Sequence, residues 1–295
     1  MRDVLAADTA MEAVTLYVRD LDLMTRYYRD VVTLEVLDVP APAEVKGPAN
    51  AAHVTLGRRG VPVVHLRHTP DLPVPGRTEA GLFHTAILFE TQSALAAAVA
   101  NVARLAPGTF AGSADHLVSE AFYFTDPEGN GIELYWDRSR SLWQREDGQI
   151  KMDTLYLDPN AYLAQHLTEE GLEDPRGQGG TVVGHVHLQV GDIPTAKAFY
   201  VDALGFETTL LWHGALFVSA GGYHHHMAMN VWNSRGAGPR AATLGLGEVA
   251  IQVPGQDEVE ALRDRLRFHG VTPRDDGRTL SFEDPWRNLI RVTAA

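Results

Sequence analysis

With 295 residues, 45% of them hydrophobic and 21% charged, the chain has the composition of an ordinary globular protein and is long enough for two domains. No segment approaches the roughly 20 apolar residues of a membrane-spanning helix, and the opening Met1-Arg2-Asp3-Val4-Leu5-Ala6-Ala7-Asp8 is too short and acidic for a signal peptide, so a cytoplasmic location without a membrane partner is expected. A formal net charge of -13 argues against nucleic acid as a partner, and the absence of cysteine removes disulfides, thiolate nucleophiles and zinc–thiolate sites, leaving His, Asp and Glu to hold any metal.

Residues 14–18 alternate like a strand, and residues 21–32 carry apolar and aromatic side chains at helical spacing. A strand near 34–39 and two more at 51–57 and 61–66 complete a βαβββ unit. The second unit opens with Phe83-His84-Thr85-Ala86-Ile87-Leu88-Phe89 and continues in an alanine-rich helix over 93–105. It closes with two strands joined across the turn Asp126-Pro127-Glu128-Gly129. Residues 138–180 are charged and irregular, as expected of a connecting segment that crosses a surface. A third unit spans 182–233, and a fourth runs from about Leu246, with its helix at 257–269, to the C-terminus.

The units are copies of one another. Val18-Arg19-Asp20-Leu21 followed by Tyr27-Tyr28-Arg29-Asp30 recurs 172 residues later as Val190-Gly191-Asp192-Ile193 followed by Phe199-Tyr200-Val201-Asp202. Asp126-Pro127-Glu128-Gly129-Asn130 is echoed in Asp284-Pro285-Trp286-Arg287-Asn288. Strand ends, helix starts and helix ends that recur at one fixed offset mark a duplicated structural unit. Each unit leaves an apolar sheet face that needs a partner, so an α+β fold is expected in which four βαβββ modules pair into two eight-stranded curved sheets, or open barrels, each enclosing a cleft. Modules one and two then occupy residues 1–137, a connecting segment 138–180, and modules three and four 181–295.

The module openings such as His185-Val186-His187-Leu188, together with the ending Asp126-Pro127-Glu128-Gly129-Asn130-Gly131-Ile132-Glu133, resemble the vicinal oxygen chelate superfamily. The segments around Gly81-Leu82-Phe83-His84, Asp115-His116-Leu117-Val118 and Gly221-Gly222-Tyr223-His224-His225-His226 are similar to its catechol-2,3-dioxygenase-like branch. The resemblance covers about 240 of the 295 residues. It implies a metal held on the first and last strands of modules, by two histidines and a glutamate in the ring-cleaving members. Two neutral imidazoles and one carboxylate on one face of Fe(II) leave positions open for a small aromatic diol and O2; Mn(II), Ni(II) or Zn(II) fit the same donors. Homodimers are common in the superfamily.

Module alignment places His84 and His185 at first-strand ligand positions and Glu133 at a last-strand position. Ala13, Glu248 and Arg291 stand at the matching places of modules one and four. The triad is complete if modules two and three share a sheet, which is the arrangement expected here. If modules pair in sequence order instead, His65 joins His84 and Glu133. Tyr123, ten residues before Glu133, matches the resemblance's substrate-anchoring tyrosine, and His226 its acid/base histidine, strand alternation placing His224 and His226 on one face with Asn230. His116 and Glu120 fit either the cleft or a hydrogen-bonded turn. Extradiol cleavage of a catechol-like diol is the function the resemblance implies. A nickel or zinc isomerase of glyoxalase type would need a fourth ligand, and a metal-free binding protein of bleomycin-resistance type would leave His84 and Glu133 without a purpose.

Overall fold

The computed structural model describes residues 4–39 and 51–295; Met1, Arg2 and Asp3, at the head of the acidic opening stretch, lie outside the described residues. Module one consists of β1 (Ala10–Val18), α1 (Leu21–Arg26), β2 (Glu35–Leu37), β3 (His53–Arg58) and β4 (Val61–His68). Module two contains β5 (Gly81–Phe89), α2 (Gln92–Leu105), β6 (Phe110–Asp115), β7 (Ser119–Thr125) and β8 (Gly131–Asp137). The connecting segment contributes β9 (Arg145–Glu146), β10 (Gln149–Ile150), β11 (Leu155–Tyr156), α3 (Pro159–His166) and α4 (Glu169–Glu173). Module three has β12 (Thr181–Gln189), α5 (Ile193–Lys197), β13 (Glu207–Trp212), β14 (Ala215–Ser219) and β15 (Met227–Asn230). Module four has β16 (Gly245–Val253), α6 (Gln256–Phe268), β17 (Arg274–Asp275), β18 (Thr279–Glu283) and β19 (Leu289–Ala294). Among the described residues no helix is long and apolar enough to cross a membrane.

The repeated aspartates are helix N-caps. Asp20 accepts from the Leu23 amide at 2.9 Å and Asp192 from the Thr195 amide at 2.8 Å, satisfying donors that the first helical turn leaves open. Both helices then loosen into a π turn, at Tyr27–Val31 and Ala198–Ala203. These turns bury Tyr28 and Tyr200, whose hydroxyls donate to Asp126 at 3.1 Å and Asp284 at 2.8 Å. Each aspartate also accepts two backbone amides of its own turn and an asparagine side chain. Module one is thus tied to module two, and module three to module four, at the helix side.

The sheets are paired differently. One runs β17-β18-β19-β16-β1-β4-β3-β2 and the other β11-β6-β7-β8-β5-β12-β15-β14-β13. Modules four and one share the first sheet, and modules two and three the second, through the antiparallel contacts of β1 with β16 and β5 with β12. The second sheet has nine strands rather than eight because β11, from the connecting segment, adds to the edge strand β6. An unpaired strand edge exposes backbone donors and acceptors, which β11 satisfies there.

Alternation along β12 sends Val186 and Leu188 into the main apolar core, which Leu16 and Val64 of the first sheet also enter, and turns His185 and His187 the other way, into a cleft. The duplication extends to a register shift, between Val183 and His185 in β12 and between Met11 and Val14 in β1. Gly184 lies within that shift, where any side chain would collide with the Tyr135 hydroxyl.

In the first sheet Arg291 and Glu248 form an ion pair at 2.8 Å, and the guanidinium also reaches Glu12 at 3.5 Å. His65 lies in this sheet with its Nδ1 2.8 Å from the Thr55 hydroxyl, so the alternative triad containing it does not form. The reason is strand pairing: β4 borders β1, whereas His84 and Glu133 are on β5 and β8. Glu248 is 1% exposed, and Arg291→Leu takes away the guanidinium that offsets its charge. The expected cost is about 3 to 5 kcal/mol in chemical denaturation, and adding Glu248→Gln should recover part of it. An unchanged midpoint in the single variant would show the pair to be dispensable.

Candidate metal centre and active site

The cleft of the second sheet is organised by one row of residues. Register sets Tyr123 of β7 opposite Glu133 of β8, Glu133 beside Ala86 of β5, and Ala86 opposite His185 of β12. Because Ala86 is small, Glu133 and His185 meet above it, with His185 Nε2 3.1 Å from Glu133 Oε2. His84, two residues before Ala86 on the same face, brings its Nε2 to 3.0 Å from the same oxygen. Three donor atoms, one from each residue, lie within 4.8 Å of one another, and all three residues are buried.

The electrostatics suit a cation. Burial opposes a charged Glu133, yet the imidazoles of His185 and His84 hold its carboxyl well below the usual range. Burial also depresses His185 to about 4, so it is neutral at working pH. His84 Nε2 is buried without a hydrogen-bond partner, since its approach to Glu133 lacks the alignment of a hydrogen bond. A buried, unsatisfied ring nitrogen costs roughly 1 to 3 kcal/mol unless something accepts its lone pair. A divalent cation fits that donor set, which has the two-imidazole, one-carboxylate composition of a facial triad.

Tyr123 lines the same cavity, and burial pushes its phenol well above the ordinary value, so it keeps its proton. Its oxygen is 2.6 Å from His116 Nε2, while His116 Nδ1 is 2.7 Å from the Asp153 carbonyl. A carbonyl only accepts, so in neutral His116 the proton is on Nδ1 and Nε2 receives the Tyr123 hydroxyl. The Tyr123 oxygen then has lone pairs to offer the cavity. Of the turn residues, His116 is therefore part of the site, whereas Glu120 pairs with Arg138 at 2.8 Å.

His226, expected at the acid/base position, is not among the residues that line the cavity; His225 is. Alternation fails here because β15 begins only at Met227. The histidine run before it bends, with Thr209 donating to the His224 carbonyl at 2.6 Å and the Ala220 amide donating to His226 Nδ1 at 3.2 Å. His226 packs on Tyr223 instead, and His225 sits with its ring centre 4.0 Å from that of His185. A chain of partners fixes its tautomer. With His224 neutral, its Nε2 donates to Asp137 at 2.8 Å and its Nδ1 accepts from His225 Nδ1 at 2.7 Å, leaving His225 Nε2 as the basic nitrogen. No local pattern distinguishes His225 from its neighbours.

The cavity measures about 300 Å³, at the small end of ligand sites. Residues 152–154 of the connecting segment form one of its walls, held by the Asp153 carbonyl contact to His116. The segment is also tied to the far edge of the sheet, where the Leu211 amide donates to Gln149 Oε1 at 2.8 Å. It is thus more than a connection.

Burial depresses His65 to about 4 and His226 to about 3, from an ordinary value of 6.5. Both fold as neutral rings, whereas the unfolded chain takes up protons below pH 6.5, so their contribution is complete above 6.5 and lost as pH falls toward those values. The unfolding free energy of metal-free protein from urea titrations should drop between pH 7 and 5, by at most about 1.4 kcal/mol per pH unit for each histidine. His65→Gln should flatten the curve; an identical slope would remove His65 as a contributor.

A family model described as the Glyoxalase/Bleomycin resistance protein/Dioxygenase superfamily matches residues 10–134 and 182–292. The chain is 35% identical over 282 residues to a protein of Bacillus subtilis (strain 168) named catechol-2,3-dioxygenase, covering 94% of each. In fold it is similar to a putative dioxygenase from Bacillus subtilis, with TM-score 0.64 at 12% identity over 99% of this chain and 86% of the other. It is also similar to glyoxalase I from Zea mays, with TM-score 0.57 at 16% identity over 97% and 92%.

Proposed function

The chain belongs to the glyoxalase/bleomycin resistance protein/dioxygenase superfamily, and within it we propose an extradiol ring-cleaving dioxygenase that acts on a catechol-like diol with O2 at a mononuclear Fe(II) site. The observation that carries this reading is the buried convergence of His84, Glu133 and His185, with His84 Nε2 unsatisfied. These three residues would hold the metal, and His225, Tyr123 and His116 border the space beside it. Fe(II) bound there supplies a cation at which diol and O2 can meet and through which electrons can pass between them.

The chain's own groups manage the protons. His225 Nε2 is placed to take a hydroxyl proton from the diol and return it later: burial holds the ring well below the usual imidazole range, so it stands neutral before the transfer and gives the proton back readily. Its Nδ1–H stays anchored on His224, which Asp137 anchors in turn. The Tyr123 oxygen, its own proton committed to His116, accepts from a substrate hydroxyl and so orients the ring. Walls from Phe83, Phe217 and Met152 exclude water from the reacting face. The triad holds a single carboxylate, which disfavours the four-ligand isomerase reading, and an unsatisfied buried imidazole disfavours a metal-free binding protein.

The test is metal analysis of untagged protein followed by anaerobic loading with Fe(II), Mn(II), Ni(II) or Zn(II) in turn. With iron, catechol and air should give a yellow ring-opened product and consume one O2 per diol. Activation of an isomerase reaction by Ni(II) or Zn(II), with no oxygen uptake by the iron form on any catechol, would reject the proposal.

A further inference from the structure

We infer that the cavity selects an uncharged catechol carrying an apolar substituent, and rejects catechols that carry a carboxylate. The role of the diol rests on the ring-cleavage reading, but selection against charge follows from the walls. Beyond the triad the lining is aromatic. Phe83 packs edge-on against His187 at 5.0 Å and Trp232 at 5.5 Å between ring centres, and Phe217 lies 5.0 Å from His225. Trp212 and Leu210 continue this wall.

Among the described residues that line the cavity none is Lys or Arg. Arg138, which reaches the Ser119 carbonyl at the cavity edge, is already held by Asp115 at 2.8 and 3.0 Å and by Glu120 at 2.8 Å. Asp153 turns its backbone carbonyl to His116, while its exposed carboxylate accepts the Thr154 amide at 2.8 Å. A substrate carboxylate on the ring's far side would enter an apolar space with no basic side chain to pair with and would lose its hydration without compensation. Of the polar groups that remain, Tyr123 with His116 and His225 flank the triad, where the diol hydroxyls belong, and His187, with its Nε2 3.0 Å from Asn230 Nδ2, lies among the rings. The volume of about 300 Å³ leaves room for a compact substituent rather than a polycyclic one.

Two ligands of similar shape and opposite polarity test this: isobutylcatechol and (dihydroxyphenyl)acetate, each substituted para to one hydroxyl. Binding is measured by calorimetry under argon on protein loaded with Zn(II), which does not turn the diol over, and turnover separately by oxygen uptake of the iron form. The neutral ligand should bind roughly 10²-fold more tightly than the acid, and kcat/KM should favour it by a similar factor. Trp232 is half-exposed at the wall, so Trp232→Arg should fold and should shrink the preference at least about tenfold by supplying the missing cation. Equal or tighter binding of the acid, or no saturable binding of isobutylcatechol, overturns the inference. Selective binding without oxygen uptake on any catechol would instead sink the ring-cleavage reading and leave the selectivity standing.

Discussion

Glu133→Ala should abolish iron retention and ring cleavage together. Glu133 is the one carboxylate of the triad, and its Oε2 is the atom that both His84 and His185 approach, at 3.0 and 3.1 Å. Without it two neutral imidazoles would face a divalent ion in a buried pocket with no charge to offset it, so affinity should fall by orders of magnitude. Glu133→Gln separates charge from shape and should behave almost as badly. The measurements are iron per chain after gel filtration and oxygen uptake with catechol. A variant that keeps one equivalent of iron would show that the ligand set lies elsewhere, and the neighbouring group of His185, His224 and His225 would then be the place to look.

His225→Ala should keep its iron and lose kcat by roughly 10²- to 10⁴-fold, the range for removal of a general acid/base. His226→Ala should lose stability, since burial and the Ala220 amide hold that ring in place, while changing kcat no more than about threefold in the folded fraction. The contrast decides between two adjacent residues whose side chains the bend before β15 sends to different surroundings. If His226→Ala proves the slower enzyme, the strand alternation extends back through the histidine run in the working protein and His226 resumes the acid/base role.

Much of the fold was legible along the chain because its signals are local. The alternation of β1, the helical spacing after Asp20 and the offset copies of the Asp-Pro turn each depend on residues a few positions apart. These are enough for four βαβββ modules. The candidate ligands His84, Glu133 and His185 were legible for the same reason, as equivalent positions in repeated modules.

What a local pattern cannot carry is the choice of strand partner. Glu133 and His185 are 52 residues apart, and they meet only because β5 pairs with β12 while β1 pairs with β16. Each edge could satisfy its hydrogen bonds with another module, so that choice belongs to the packing of the whole molecule. Tertiary structure likewise decided that His225 and not His226 enters the cleft, because a bend shifts strand parity by one residue. It also turned residues 152–154 from a connection into a wall and gave His116 its partner Tyr123. The sequence by itself determined the modules and the chemical types available to the site. Their convergence on one point, and which histidine faces the cleft, arise from long-range pairing and local bending that leave no periodic trace in the chain.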